Sequence, residues 1–217
     1  MAKPLYLVME GVDGSGKSSQ AARLADRLDA LLTKEPGGTQ VGARLRNILL
    51  DPDLMGKLDD VTELLLMNAD RAQHLRELVL PTLAEGRTVV QDRCYFSTLA
   101  YQGHARGLSL DFVRSVCGLV LGEVMPHKIF VLDIDIDQVE QRRGGEGHDD
   151  TDRFEAEARE FREKLILGYR AEALRASPLN AVLIDARGTL DEVHEAIWAH
   201  VTPLVNSQLD INPEEGS

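Results

Sequence analysis

One stretch constrains this chain more than any other: Gly11-Val12-Asp13-Gly14-Ser15-Gly16-Lys17-Ser18 fits the pattern G-x-x-x-x-G-K-[ST]. Its flanks are the ones such a loop needs. The apolar run Leu5 to Met9 reads as a buried strand, and Ala21, Leu24, Ala25, Leu28 and Leu32 then recur at helical spacing. A strand, a glycine turn and a helix N-terminus in that order point successive backbone N–H groups into one concave turn, with the partial positive charge of the helix behind them. Such a turn binds phosphate. Lys17 is placed to reach the terminal phosphates of a nucleotide, and Ser18 to ligate a Mg²⁺ ion bridging two of them. Gly11, Val12, Asp13, Gly14, Ser15, Gly16 and Ser19 complete the cradle.

The rest of the chain repeats the alternation that the loop begins. Leu31 to Thr33, Thr88 to Asp92, Ile129 to Ile134 and Ala181 to Ile184 are further strand candidates. Helical patterns at Val61 to Leu83, Phe96 to Tyr101 and Leu110 to Met125 separate them, and Pro36-Gly37-Gly38 ends the second strand. Parallel neighbours need crossover helices, so this order predicts an α/β domain with a covered parallel sheet. At 217 residues, 43% of them hydrophobic, one domain over 1–205 can bury a sufficient core. Asn206 to Ser217 reads as an acidic disordered tail, and the polar, glycine-rich stretch Gly144 to Asp152 as part of a lid spanning about 142–153.

Charge narrows the partners. The 36 acidic residues against 24 basic give a net charge of -12, which repels nucleic acid and anionic membrane, so neither is expected as a partner. A polyanionic ligand therefore requires a local basic pocket. Cys94 and Cys117 form no C-x-x-C pair and read as reduced thiols, the opening apolar run is too short for a signal peptide, and nowhere do eighteen apolar residues run together. The expected location is the cytoplasm. Within it, a second basic site is suggested by Arg93, directly after Asp92 at the end of a strand: the carboxylate is suited to the magnesium shell and the guanidinium to a second phosphate. Asp133, also at a strand end, is the rival magnesium residue.

Taken together, Gly11 to Ser18, Glu35-Pro-Gly-Gly-Thr39, Ala69-Asp-Arg-Ala-Gln-His74, Asp92-Arg93 and Ala100-Tyr-Gln-Gly103 closely resemble the thymidylate kinase family in order and spacing, from about Leu5 to about Trp198. The resemblance implies a P-loop NTPase fold of the nucleoside monophosphate kinase type, with a five-stranded parallel sheet wrapped by helices. It implies the reaction of ATP with dTMP to give ADP and dTDP, Mg²⁺ as cofactor and a homodimer. By the same resemblance Arg93, Arg71 and Arg46 hold the acceptor's phosphate, and Arg71 also contacts the base. Thr98 and Gln102 read the thymine edge, Tyr101 disfavours ribose at C2′, and Glu35 and Asp13 lie near the acceptor and the transferred phosphoryl group. Because the phosphate loop offers Gly14-Ser15 and no arginine, the basic group that reaches the phosphoryl is implied to come from the lid, with Arg142, Arg143 and Arg153 as candidates.

Three features depart from the family pattern. Met67 stands where the family usually has a Phe stacked on thymine; Gly144 to Asp152 holds several acids and no arginine; and Lys17 to Glu35 is short. Three other functions stay open on sequence alone. Another nucleoside or nucleotide monophosphate kinase is one, favoured by Met67. A P-loop ATPase or switch without an acceptor is the second, and a silent nucleotide-binding subunit the third.

Overall fold

The computed structural model describes residues 3–145, 153–154, 157–176 and 180–209, without the side chains of 143–145 and 207–209. Five strands, β1 (Tyr6–Glu10), β2 (Leu31–Lys34), β3 (Val89–Asp92), β4 (Lys128–Asp133) and β5 (Ala181–Asp185), form one sheet in the order β2-β3-β1-β4-β5, every pairing parallel. Every residue of β1 is buried, as a central parallel strand covered on both faces requires. Around the sheet lie α1 (Lys17–Leu28), α2 (Gln40–Leu50), α3 (Asp60–His74), α4 (Leu80–Ala84), α5 (Tyr95–Thr98), α6 (Leu110–Leu121), α7 (Ile136–Gly145), α8 (Arg159–Ala176) and α9 (Leu190–Leu209).

This strand order places the site. The chain steps outward from β1 to β2, returns to β3 beside β1, and then crosses to β4 on the other side. The carboxyl ends of β1, β3 and β4 therefore frame the point where the winding reverses, which is where open α/β sheets hold their ligands. In register, Lys34 and Met9 flank Asp92 on its two sides, and Glu10 lies beside Val131.

Several element limits differ from the sequence reading. The helix expected over Val61 to Leu83 is α3 and α4 joined by a wide π-helical turn, Leu75–Val79. That turn comes just before Pro81, which has no N–H to donate and whose ring would crowd the carbonyl four residues back in a regular helix. A second wide turn, Leu99–Ala105, follows α5 and carries Tyr101 and Gln102. The helix expected to reach Met125 stops at Leu121, where Gly122 takes a φ of 56°. At the other end, α9 runs to Leu209, past the start of the expected tail; 210–217 lie outside the described residues. Among the described residues no helix is long and apolar enough to cross a membrane. Cys94 and Cys117 are buried and free.

Candidate active site

The phosphate loop turns on its glycines. Gly11 has a φ of 138°, and a Cβ there would fall 2.8 Å from the Leu132 carbonyl oxygen; Gly16, left-handed at φ 92°, leads directly into α1. Lys17 is buried, and its Nζ donates to the Val12 carbonyl at 2.9 Å and to Asp13 Oδ1 at 3.3 Å. Burial and the nearby Arg93 charge lower its pKa, against the pull of Asp13. Ser18 Oγ donates to Asp92 Oδ2 at 2.5 Å, while Asp92 Oδ1 is buried with no partner among the described residues. Asp133, the rival for the metal, is paired with Arg170 Nε at 2.6 Å. From the loop an open cleft of about 1360 Å³ extends past Arg142, Ala186 and Gly188. Arg142 spans it, donating to the Gly14, Ser15 and Ala186 carbonyls at 3.3, 3.4 and 2.8 Å.

Directly after β3, Arg93 takes a left-handed backbone (φ 67°), uncommon for a residue with a side chain. The guanidinium meets four acceptors: Asp13 Oδ1 at 2.5 Å, the Gly11 carbonyl at 3.1 Å, Ser97 Oγ at 3.2 Å and Tyr169 Oη at 2.9 Å. Loss of water in the cleft pushes the Asp13 carboxyl up, but Arg93 and Lys17 outweigh that and hold it well below the usual carboxylate range. Beneath them Glu10 is fully buried and accepts from the Cys94 N–H at 2.8 Å, the Ser97 N–H at 3.1 Å and Ser97 Oγ at 2.6 Å. Burial raises its pKa to about 7, with these hydrogen bonds and Arg93 opposing.

Asp13 and Arg93 also border a second pocket, of about 700 Å³. All eight residues that the sequence assigns to the acceptor, Glu35, Arg46, Met67, Arg71, Arg93, Thr98, Tyr101 and Gln102, line it. Arg71, 2% exposed, donates from Nε to Glu35 Oε2 at 2.9 Å, from Nη2 to Thr98 Oγ1 at 3.0 Å and from Nη1 to Asn68 Oδ1 at 3.2 Å. Glu35 also faces His74 Nδ1 at 2.9 Å; burial pushes its carboxyl up, and Arg71 and His74 bring it below the ordinary value. Arg46 rests on the Pro36 carbonyl at 3.1 Å. Tyr101 Oη donates to Asp13 Oδ2 at 3.2 Å.

The structure does not bring the three lid arginines together. Arg142 lies at the phosphate loop, and the Arg143 side chain and residues 146–152 are outside the described residues. Arg153 is buried away from the loop, donating to the Leu49 carbonyl at 3.1 Å and to Glu63 Oε2, because the buried carboxylate of α3 captures it. Arg153, one of the three candidates for reaching the phosphoryl group, thus sits on Leu49 and Glu63 in this arrangement. Sequence reasoning also missed pocket residues. Phe154 lines the acceptor pocket with its ring edge-on to Tyr101 at 5.2 Å, and Asp70 lines it with Oδ1 accepting from the Gly37 N–H at 2.9 Å. Their only signal was adjacency: Phe154 follows Arg153, and Asp70 precedes Arg71.

A phosphate loop at the switch point of a parallel sheet, facing an arginine-lined pocket across a shared wall, is the arrangement of the P-loop nucleoside monophosphate kinases. The chain belongs to the thymidylate kinase family: the model of that family, described as thymidylate kinase, matches residues 9–197. It is 40% identical over 210 residues to a thymidylate kinase of Syntrophotalea carbinolica, covering 93% of this chain and 96% of the relative. It is 39% identical over 204 residues to one of Halothermothrix orenii, covering 91% and 96%. The crystal structure of thymidylate kinase from Ehrlichia chaffeensis superposes with a TM-score of 0.72 at 27% identity, covering 91% of this chain and 98% of that one. Members of the family phosphorylate dTMP to dTDP, and membership makes this chain a nucleotide-binding kinase with that activity.

Proposed function

We propose that phosphoryl transfer from ATP to dTMP takes place across the wall formed by Asp13 and Arg93. The observation that carries this reading is that Asp13 lines both cavities while Arg93, lining the acceptor pocket, is bonded to it and to the loop carbonyl of Gly11. ATP occupies the loop Gly11 to Ser19, with its terminal phosphates on Lys17, and dTMP the arginine pocket. An oxygen of the dTMP phosphate is already an ionised nucleophile, so no general base is needed, and positioning and charge neutralisation carry the rate. Arg93 and Arg71 position the acceptor phosphate with Arg46, and Arg93 is also placed to stabilise charge that develops on the transferred group. Asp13 orients Arg93 and Lys17 by pairing with both. Arg142 is the arginine we assign to the ATP phosphates, since it lies on the loop. The segment 142–153 serves as the lid of a single catalytic domain, with Arg142 at its start lying on the phosphate loop.

A magnesium ion fits the residues present. The Ser18 hydroxyl and the buried Asp92 Oδ1, without a partner among the described residues, are hard oxygen donors at the loop, and a cation held chiefly by phosphate and water needs few more. A Mg²⁺ ion held by these residues would supply charge neutralisation for the phosphates during transfer. A cytoplasmic homodimer completes the proposal; exposed Leu65 on α3 and Phe112 and Leu119 on α6, two helices that pack together, support the dimer.

The test is ADP release with ATP, Mg²⁺ and each nucleoside monophosphate in turn. The expected result is turnover with dTMP and much less with its ribose counterpart, because a 2′-hydroxyl against Tyr101 loses water without replacement. Turnover with a different monophosphate, or none with dTMP, would contradict the assignment. Arg93→Ala is expected to lose about 2–4 kcal/mol of transition-state stabilisation; an effect confined to ATP affinity would place the arginine on the wrong substrate.

A further inference from the structure

Glu63, on the inner face of α3, is 1% exposed and was not singled out by any motif, yet three side chains converge on it. Gln102 Nε2 donates to its Oε1 at 2.6 Å, Arg153 Nη2 to its Oε2, and Arg106 approaches both oxygens, at 3.4 and 3.5 Å. Gln102 itself is 0% exposed and lines the acceptor pocket, and its Oε1 has no partner among the described residues. A glutamine amide has two faces of nearly equal shape, one donating and one accepting, and only its neighbours decide which way it lies. A carboxylate between two guanidinium groups is an acceptor only. It can hold Gln102 in one orientation, the one with nitrogen toward Glu63.

We propose that Glu63 is a specificity-determining positioning residue: by fixing the Gln102 amide it leaves the carbonyl oxygen as the group offered to the acceptor base. This rests on the reading of the arginine pocket as the dTMP site. A base carrying a ring N–H, as thymine does, satisfies the buried oxygen. Cytosine places a ring-nitrogen lone pair at the corresponding edge and leaves two acceptors facing one another. Sites that hydrogen-bond a substrate group reject analogues lacking it strongly, because the buried protein atom is left unpaired.

The structure also says what should happen when the charge is removed. In Glu63→Gln, Arg153 Nη2 claims the new carbonyl oxygen, so the new amide nitrogen turns toward residue 102 and the weaker Arg106 Nε contact on that side, 3.4 Å long, gives way. Gln102 must then flip to accept from it, presenting nitrogen to the pocket. Glu63→Asp keeps an acceptor-only group and is the control that restores orientation.

The experiment measures kcat and KM for dTMP and for dCMP with the wild type and both variants. The expected result is a dTMP-to-dCMP ratio of kcat/KM that falls at least ~10-fold in Glu63→Gln, through KM more than kcat, and stays near the wild-type ratio in Glu63→Asp. A Glu63→Gln ratio equal to wild type would overturn the inference whatever the total loss of activity, since mere loosening of the fold lowers both substrates alike. Failure of the wild type to phosphorylate dTMP would overturn the underlying reading as well, so the two failures are distinguishable. Should Glu63→Gln not fold, hydrogen exchange of the Gln102 side-chain amide in the ¹⁵N-labelled wild type decides: protection before dTMP is added supports the lock, and exchange at the rate of a free amide refutes it.

Discussion

The donor cleft and the acceptor pocket share the Asp13–Arg93 wall, yet they are built by opposite means. The phosphate-holding part of the donor cleft is a run of consecutive residues whose binding groups are mostly backbone N–H, shaped by glycine dihedrals. The acceptor pocket draws on α2, α3, α5, the wide turn 99–105 and the ends of β2 and β3, and its charges are paired with one another. Arg71 is already oriented by Glu35, Asn68 and Thr98, which take three of its five N–H groups and leave donors for a phosphate. Oriented arginines of this kind lose little freedom on binding a phosphate, at the cost of desolvating a buried ion pair. The comparison teaches that stability and recognition should separate on the donor side and be inseparable on the acceptor side.

Glu35→Ala is the strongest way to test that. It leaves Arg71 buried without its main counter-charge and takes a partner from His74, so unfolding in urea should show a loss of about 3–5 kcal/mol together with a raised KM for dTMP. A folded, stable variant with only a KM defect would break the comparison. On the donor side, Lys17→Ala should lower single-turnover phosphoryl transfer by about 10²–10³. Its melting temperature should stay close to wild type, since among the described residues the ammonium is bonded only within its own loop. A steep loss of stability would show that the donor cleft, too, depends on buried charge.

The same contrast explains what the sequence could tell. The phosphate loop was legible because its chemistry lies in adjacent residues and needs a strand before and a helix after, both visible as periodicity. The five strands were legible as short apolar runs. The wide turns around 75–79 and 99–105 were not, since a π turn keeps the same apolar residues at nearly the same spacing. Acceptor residues such as Arg46, Thr98 and Gln102 carry no local signature, and only the family resemblance gathered them. Where resemblance was silent or general, residues were missed. No motif marks Glu63 or Glu10, but burial and the partners brought by distant elements make them structural hubs, and no local pattern encodes burial of a charge. Arg153 stood beside Arg142 and Arg143 as a candidate for the phosphates because the pull of Glu63 was invisible.

A smaller effect sharpens the contrast between two carboxyls of the acceptor pocket. Asp13 is held low by its cations, whereas burial raises Asp70 to about 6, with the Gly37 N–H opposing and the Glu35 charge adding to the rise. A folded pKa above the ordinary 3.8 means that the native state holds the Asp70 proton where the unfolded chain has released it. Its contribution to stability is therefore present below about pH 4 and is lost as pH rises to about 6. Glu10, at about 7, acts in the same direction over an overlapping window. Asp70→Asn should flatten the wild-type decline between about pH 4 and 6 by on the order of 2 kcal/mol, read from urea midpoints along the pH series. An unchanged slope would assign the decline to Glu10 and other groups.

The smallest expected effect lies at Met67, where the family pattern has an aromatic ring and this chain has a flexible thioether. The structure supplies a ring from elsewhere: Phe154 lines the same pocket, held edge-on to Tyr101 at an interplanar angle of 88° and covered by the Arg153 guanidinium at 4.6 Å. Met67 is only half-buried, so a Phe in its place meets open space rather than a filled core. Met67→Phe should then tighten dTMP binding by on the order of 1 kcal/mol, with ATP affinity unchanged. If Phe154 has taken over contact with the base, the two positions are coupled. Phe154→Ala should weaken dTMP binding in the wild type and weaken it less once Met67→Phe is present, which calorimetry on the double-mutant cycle measures directly. Weaker binding by Met67→Phe would mean that the added ring competes with Phe154 for the same space, as expected of an overpacked pocket. Strict additivity would mean that Phe154 closes the pocket without touching the base, leaving the thioether as the surface on which thymine rests.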